Sequence, residues 1–553
     1  MIKILWIANA GFYCSFDTVT KLFIPALVDY IQENNLDLDI YVMCTGIGNK
    51  NVDIDKLSID LNLNKDKIYL IPSINNAYYK GSDNIEFEHN YFKGLFVINE
   101  FLDKIDPTII INLNDTEPIK RLYNSIKDLK YKKRFIPYLV IDCDNIPYSW
   151  VSDYKNMIVT TQFGKDVFQK VLHNCNYYIM PHIVDGMNKL SKLEARNILK
   201  IDNNKFIVGS INTNHVRKRW DILIESFCKF AINKKDVLLL LKINRRNKLV
   251  NNYSIIPYND HDIDELIDKY TNKYNINKNV FHIIEGYVEH NILEAIYSCC
   301  DIGLFTTSGE GWGMTPMEMA LFGTPSIIPN NTTMKEVFRN SKALVDTIKY
   351  PRKIGRDWGR SYDDTRNIFI CIFKIYPCHQ YKFEERYTID ISEKIDTIII
   401  SPFNKTIKNP INLSINVLAH VNNVDEAFNF YNNLDENKKM TQRIQFLINI
   451  EYNFLNIEYD SIINIKKYIN YTNNMYYQIL DNVYIDELAT FKYSSVDIPK
   501  IDSIVDRLNL FYNDKNILES EGNKMRLIIK KNFNKERVIK KMVDIINNIT
   551  NII

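Results

Sequence analysis

The chain has 553 residues, more than one hydrophobic core usually supports, so at least two domains are expected. Apolar residues supply 46% and charged residues 25%, which excludes wholesale disorder. Basic and acidic side chains number 69 and 67, leaving a formal charge of +2 and excluding a chain-wide field that would attract nucleic acid or membrane. The nine cysteines form no C-x-x-C pair and only Cys299 and Cys300 are adjacent, as expected of reduced thiols in a cytoplasmic protein. No apolar run reaches the ~18–20 residues of a membrane span, so the chain reads as soluble, with peripheral membrane contact left open.

An apolar run at 3–9, the turn Ala10-Gly11 and an amphipathic stretch at 22–31 predict strand, turn and helix. Further strands are predicted at 38–43, 108–113, 135–141 and 157–161. A polar interval at 179–204, with Pro181, Asp185 and Gly186, interrupts the series. It then restarts: strand 206–211, helix 220–231, strands 237–243 and 280–284, helix 292–299, strands 302–306 and 326–329. Alternating strands and helices imply parallel sheets covered on both faces, with ligands bound beyond the carboxyl ends of the strands.

Regularity ends after Val345-Asp346. Between about 350 and 488, β-like runs at 368–375, 397–400 and 413–417 mix with Asn- and Tyr-rich helical stretches, and we read the region as an inserted α+β module. Amphipathic segments at 498–512 and 518–533 follow, then a basic helix at 534–549. The expected domains are 1–185, 186–347, the insertion 348–493, and 494–553 completing the second domain and adding a terminal helix.

The most informative stretch is Ser308-Gly309-Glu310-Gly311-Trp312-Gly313-Met314-Thr315-Pro316-Met317-Glu318, after the strand at 302–306. It sets two carboxylates eight positions apart across a glycine-rich turn that opens a helix. Glycines let a backbone approach a ligand, helix-start amides attract oxyanions, and carboxylates accept paired hydrogen bonds from sugar hydroxyls. Thr315-x-x-Glu318 also reads as a capping box with Pro316 at the first helical position, so Glu318 has a structural explanation that Glu310 lacks. The triplet Arg217-Lys218-Arg219 likewise follows a strand and precedes a helix. Three cations there oppose the helix dipole unless an anion such as a diphosphate lies between them; the alternative is a solvated charged turn. Asp142 and Asp144, after the strand at 135–141, stand where first-domain residues enter a cleft, either binding an acceptor hydroxyl, acting as a base, or capping a turn. His182, in the turn Pro181–Asp185, reads as a satisfied structural residue. No cluster of metal-ligand type stands out.

With these residues in view, the chain resembles the retaining glycosyltransferases of family 4, of GT-B architecture. The resemblance is carried by Phe281-His282-Ile283-Ile284-Glu285-Gly286-Tyr287-Val288, by 295–301, by Glu310-x7-Glu318 with Gly323-Thr324-Pro325, and by Glu336; it spans about 1–347 and 494–553. It implies an α/β GT-B fold of two facing Rossmann-like domains and a hexosyltransferase of glycan biosynthesis. The implied donor is a UDP- or GDP-linked sugar, the acceptor a hydroxyl of a glycan, lipid or protein-linked sugar, and neither a bound cofactor nor a metal is needed. By the same resemblance Glu310 contacts the hexose and Glu318 the ribose. Amides near Gly311, Gly313, Met314 and Thr315 meet sugar or phosphate, Arg217, Lys218 or Arg219 neutralise the diphosphate, Tyr287 and Val288 flank the base, and Gly11 lines the first-domain loop. Three departures stand out: the arginine expected before the lysine is replaced near Asn212–Asn214 unless Arg217 substitutes for it, the first loop has no second close glycine, and the family's acceptor-domain histidine aligns near Asp142 to Asp144. Two other readings are a non-catalytic carbohydrate-binding or assembly protein on the same scaffold, which the intact carboxylate pair disfavours, and a transferase acting on nucleic acid, which the near-zero charge disfavours.

Overall fold

The computed structural model describes residues 1–11, 14–45, 52–71, 97–144, 146, 151–243, 262–351 and 495–550, with the backbones of five strands between 367 and 451. The first sheet has seven strands: β1 (Ile2–Asn9), β2 (Leu38–Thr45), β3 (Ile68–Leu70), β4 (Ile109–Asn114), β5 (Phe135–Leu139), β6 (Asn156–Val159) and β7 (Asn176–Ile179). Their order is β3-β2-β1-β4-β5-β6-β7, parallel throughout. Alternation along β1 shows why such runs are apolar on both sides. Ile4, Trp6 and Ala8 enter one core with the helix Ser15–Glu33, while Leu5 and Ile7 enter the other.

The second sheet contains β8 (Phe206–Ile211), β9 (Val237–Ile243), β10 (Phe281–Glu285), β11 (Ile302–Leu304), β12 (Ser326–Pro329) and β13 (Leu344–Val345). Its order is β10-β9-β8-β11-β12-β13, again parallel. In both sheets the first strand of the series lies inside and the chain winds outward in both directions. That reversal opens a crevice at the strand carboxyl ends. β8, β9, β12 and the helix Trp220–Ala231 coincide with their sequence expectations. β3, β7 and several first-domain helices are additional; β3 and β7 are the two edge strands of their sheet, mostly half-buried, and lack the fully buried run that marks the equally short β12.

The C-terminal segments divide between the two domains. Helices Ile501–Asn513 and Lys515–Asn532 bury Ile504, Leu508, Phe511, Met525 and Ile529 in the second core. The terminal helix Lys535–Thr550 instead buries Val538, Ile539, Met542 and Ile546 beside Trp6 and Phe23 of the first. Two chain segments therefore cross between domains, and the Val184 amide donates to the Phe533 carbonyl at 2.9 Å where they meet.

Strand β14 (Thr347–Pro351) pairs antiparallel with β20 (Ser495–Pro499), forming a two-stranded stalk at the base of the insertion. Strand β20 takes the first residues of the amphipathic segment read from 498. Within the insertion, β15 (Asn367–Lys374), β18 (Val417–Val421) and β19 (Ile444–Glu451) form one sheet, and β16 (Thr388–Ile391) pairs with β17 (Ile398–Ser401). The expected strand at 413–417 falls instead on β18. The helical stretches expected in this region lie outside the described residues.

Candidate functional site

Hydrogen bonds bring the basic turn beside the glycine-rich loop. Residues 216–218 form one 3-10 turn after β8, and the segment leaving β11 holds it: Thr306 Oγ1 donates to the Lys218 carbonyl at 2.9 Å, and the Ser308 amide to that of Arg217 at 2.9 Å. Glu310 thereby receives two cations, Lys218 Nζ at 2.5 Å and Arg217 Nη1 at 3.1 Å. Arg217 also donates to the Gly309 carbonyl and reaches across the cleft to Asp142 Oδ2 at 3.5 Å.

Burial alone would push the Glu310 carboxyl up; Arg217 and Lys218 overcome it and hold the pKa at about 2. Lys218 is lowered, because burial and the neighbouring Arg217 outweigh its attraction to Glu310. Two cations serve one carboxylate, so Glu310 is the group whose charge is secured, and it is a correspondingly weak base.

The third cation is elsewhere. Arg219, 3% exposed, lies with φ 53° before the helix Trp220–Ala231 and chelates Asp221 through two hydrogen bonds of 3.0 and 2.5 Å. Apart from the other two cations, its left-handed backbone turns it into a local pair that answers the dipole conflict.

The glycines also have a role that their sequence context did not disclose. A Cβ on Gly309 would lie 2.0 Å from the Asp142 carbonyl oxygen, and one on Gly311 2.6 Å from Val140 Cβ. Both glycines permit the first domain to close onto this loop. Thr160 Oγ1 secures the closure by donating to the Gly311 carbonyl at 2.9 Å. Glu336 adds a clamp, its two carboxylate oxygens accepting the amides of Gln162 and Phe163 at 2.9 and 2.8 Å. It thereby caps the first-domain helix Gln162–Gln169 from the opposite side of the cleft.

Gly313, at φ 81°, is the N-cap of the helix Met314–Leu321 and provides no side-chain cap. Thr315 and Pro316 lie inside that helix, two positions past where a capping box would place them, so the capping explanation of Glu318 is corrected. Its carboxylate instead accepts a hydrogen bond from Tyr297. Burial raises the Glu318 pKa, opposed by that phenol and by nearby His290. Met314 and Thr315 are half-buried at the helix start.

The remaining expected residues are dispersed. Asp144 pairs with Lys349 of the stalk at 3.2 Å. The Gly11 amide, in a φ 87° turn, donates at 2.8 Å to Asp17 Oδ1 in the first turn of the helix Ser15–Glu33. Tyr287 is exposed beyond β10 after Gly286 at φ 79°, and Val288 packs on the second core. His182 is buried, shares a 2.7 Å hydrogen bond with Tyr138 and meets the Trp312 ring edge-on, its pKa pressed to about 3 by burial. It has the structural role expected of it. Among the described residues no group of three or more His, Cys, Asp or Glu could hold a metal ion, and no helix is long and apolar enough to cross a membrane.

Residues 191–349 match the family described as Glycosyl transferases group 1. No curated protein has a matching sequence. Among solved structures, the chain is similar to sucrose-phosphate synthase from Thermosynechococcus elongatus, with 12% identity and a TM-score of 0.46 over 63% of this chain and 86% of that one. It is also similar to Anabaena HepE in complex with UDP and glucose, with 12% identity and a TM-score of 0.42 over 62% and 84%. A glycosyltransferase from Rickettsia africae gives 13% and 0.44 over 63% and 84%. The two doubly wound parallel sheets are an α/β GT-B fold, and the matched stretch, which lies in the second of them, resembles the glycosyltransferase group 1 family.

Proposed function

We propose that the protein transfers a hexose from a UDP- or GDP-linked sugar to a hydroxyl acceptor with retention of anomeric configuration, the acceptor being a glycan, lipid or protein-linked sugar. The observation that carries this reading is the Arg217–Glu310–Lys218 cluster at the strand carboxyl ends, facing Asp142 across the closed cleft. Arg217 and Lys218 supply fixed positive charge where a diphosphate leaving group gathers negative charge, and Glu310 supplies acceptor oxygens for sugar hydroxyls.

A carboxylate whose pKa is held at about 2 is poorly suited to abstract a proton. This supports a front-face exchange in which the leaving phosphate oxygen takes the proton. The bond from the anomeric carbon to the phosphate oxygen breaks, a bond to the acceptor oxygen forms on the same face, and the acceptor's proton passes to the departing diphosphate. In this scheme Glu318 binds the ribose, Tyr287 and Val288 flank the base, and Asp142 or Asp144 meets the acceptor. No metal enters it.

The test is donor hydrolysis and thermal shift across a panel of UDP-, GDP- and ADP-sugars, for the wild type, Glu310→Gln, Arg217→Ala and Arg219→Ala. Hydrolysis of one donor class should fall at least 100-fold in Glu310→Gln and Arg217→Ala. Arg219→Ala should lower the melting temperature with a smaller loss of turnover. Absence of any response to every donor in the wild type would sink the reading.

A further inference from the structure

We infer that Tyr297 is a positioning residue for Glu318, and that its hydroxyl sets how strongly the site prefers a ribose over a 2′-deoxyribose in its nucleotide ligand. The inference rests on the proposed assignment of Glu318 to the donor nucleotide.

Tyr297 lies on the helix His290–Cys299, which precedes β11, and its side chain is fully buried. Its ring packs beside Phe322 at 5.3 Å between centroids. From that fixed position its hydroxyl donates to Glu318 Oε2, on the helix that follows the glycine-rich loop. Glu318 Oε1 makes no hydrogen bond among the described residues. The carboxylate is not spent on the helix start, because Gly313 is the cap there and the residue lies one turn further on.

The chemistry follows from the inventory of donors and acceptors. An ionised carboxylate only accepts, and the vicinal hydroxyls of a ribose can both donate to it. A glutamate left to itself rotates about its terminal torsion, which is broad, and pays to be ordered when a diol arrives. The phenol removes that freedom before binding by fixing one oxygen. It also supplies a donor to a carboxylate that burial would otherwise drive towards its neutral form, in which one oxygen becomes a donor and the match to a diol is lost. A site with a prepared acceptor penalises a ligand that lacks the hydroxyl more than a loose one does.

Tyr297→Phe removes the hydroxyl and keeps the ring against Phe322. The full chain and this variant, with Glu318→Gln as reference, are titrated calorimetrically with UDP, GDP and ADP and with their 2′-deoxy counterparts. For the best-bound base, the wild type should bind the ribonucleotide at least tenfold more tightly than the deoxynucleotide. Tyr297→Phe should weaken the ribonucleotide about tenfold and the deoxynucleotide less than threefold, narrowing the ratio, with KM for the sugar nucleotide rising more than kcat falls. An unchanged ratio in Tyr297→Phe, or an equal loss for both ligands, overturns the inference, the second result being that of a merely structural tyrosine. If Glu318→Gln leaves the ratio at its wild-type value, or the wild type binds no nucleoside diphosphate, the ribose assignment itself fails and the inference falls with it.

Discussion

Replacing Gly309 with alanine tests whether the two domains must close for this site to work. The residue is outside the left-handed region, so alanine is not penalised by its backbone; the obstacle is spatial. The new Cβ would lie 2.0 Å from the Asp142 carbonyl oxygen, where ordinary contact begins at about 3.4 Å, so the facing surfaces must part by about 1.4 Å. A main-chain carbonyl cannot swing aside as a flexible side chain does. Parting on that scale breaks the 2.9 Å bond from Thr160 to Gly311 and separates Arg217 from Asp142. Overpacking and the lost bonds together disfavour closure by about 2 to 4 kcal/mol, a roughly thirty- to several-hundred-fold shift towards an open form. Because opening relieves the strain, neither core is disturbed and the melting temperature should move little. Small-angle scattering should report a larger radius of gyration, and kcat/KM for the best donor should fall by the same factor as the closed population. A variant with wild-type dimensions and wild-type turnover would refute the argument that these glycines exist for interdomain contact.

Glu310 should leave a signature in the acid limb of stability. Its carboxyl is depressed to about 2, so the stabilisation it provides is full above the unfolded value near 4.5 and is lost as pH falls through about 2. The stability difference between wild type and Glu310→Gln in urea unfolding should be about 3 kcal/mol near pH 6 and shrink between pH 4.5 and 2; a gap independent of pH contradicts the pairing. Glu336→Ala removes both acceptors from the start of the helix Gln162–Gln169, a loss of about 1 kcal/mol. Amide exchange at Gln162 and Phe163 should then accelerate about fivefold, and unchanged protection would show that the clamp contributes nothing.

The parts of the fold legible in the sequence were those with continuous buried apolar runs, down to the four residues of β12. β8, β9 and the helix Trp220–Ala231 have six, seven and twelve residues and were readable. β3 is a half-buried edge strand without such a run, and β20, entered from the insertion, looked like the start of the amphipathic run that follows it. At the site, Arg217, Lys218 and Glu310 were legible because each follows a strand end. Their mutual pairing was not, since it depends on Thr306 and Ser308 stitching two distant loops together. The removal of Arg219 to Asp221 could have been suspected from an acid two positions later. Glu336, although noted in the sequence, gave no hint of capping a helix 170 residues earlier, because no local pattern encodes a partner in another domain.

The return of the terminal helix to the first core changes what kind of hinge the molecule has. With both described chain ends in the first domain, the second domain is a closed excursion from it, leaving near Val184 and re-entering near Phe533. A single tether allows rotation in every direction; two tethers fastened side by side constrain the swing to an axis running through both. The Phe533 ring packs on Trp312 of the glycine-rich loop, at 4.9 Å between centroids, so that axis passes beside the site itself. Opening can therefore spread the far rim of the cleft widely while the loop carrying Glu310 moves least.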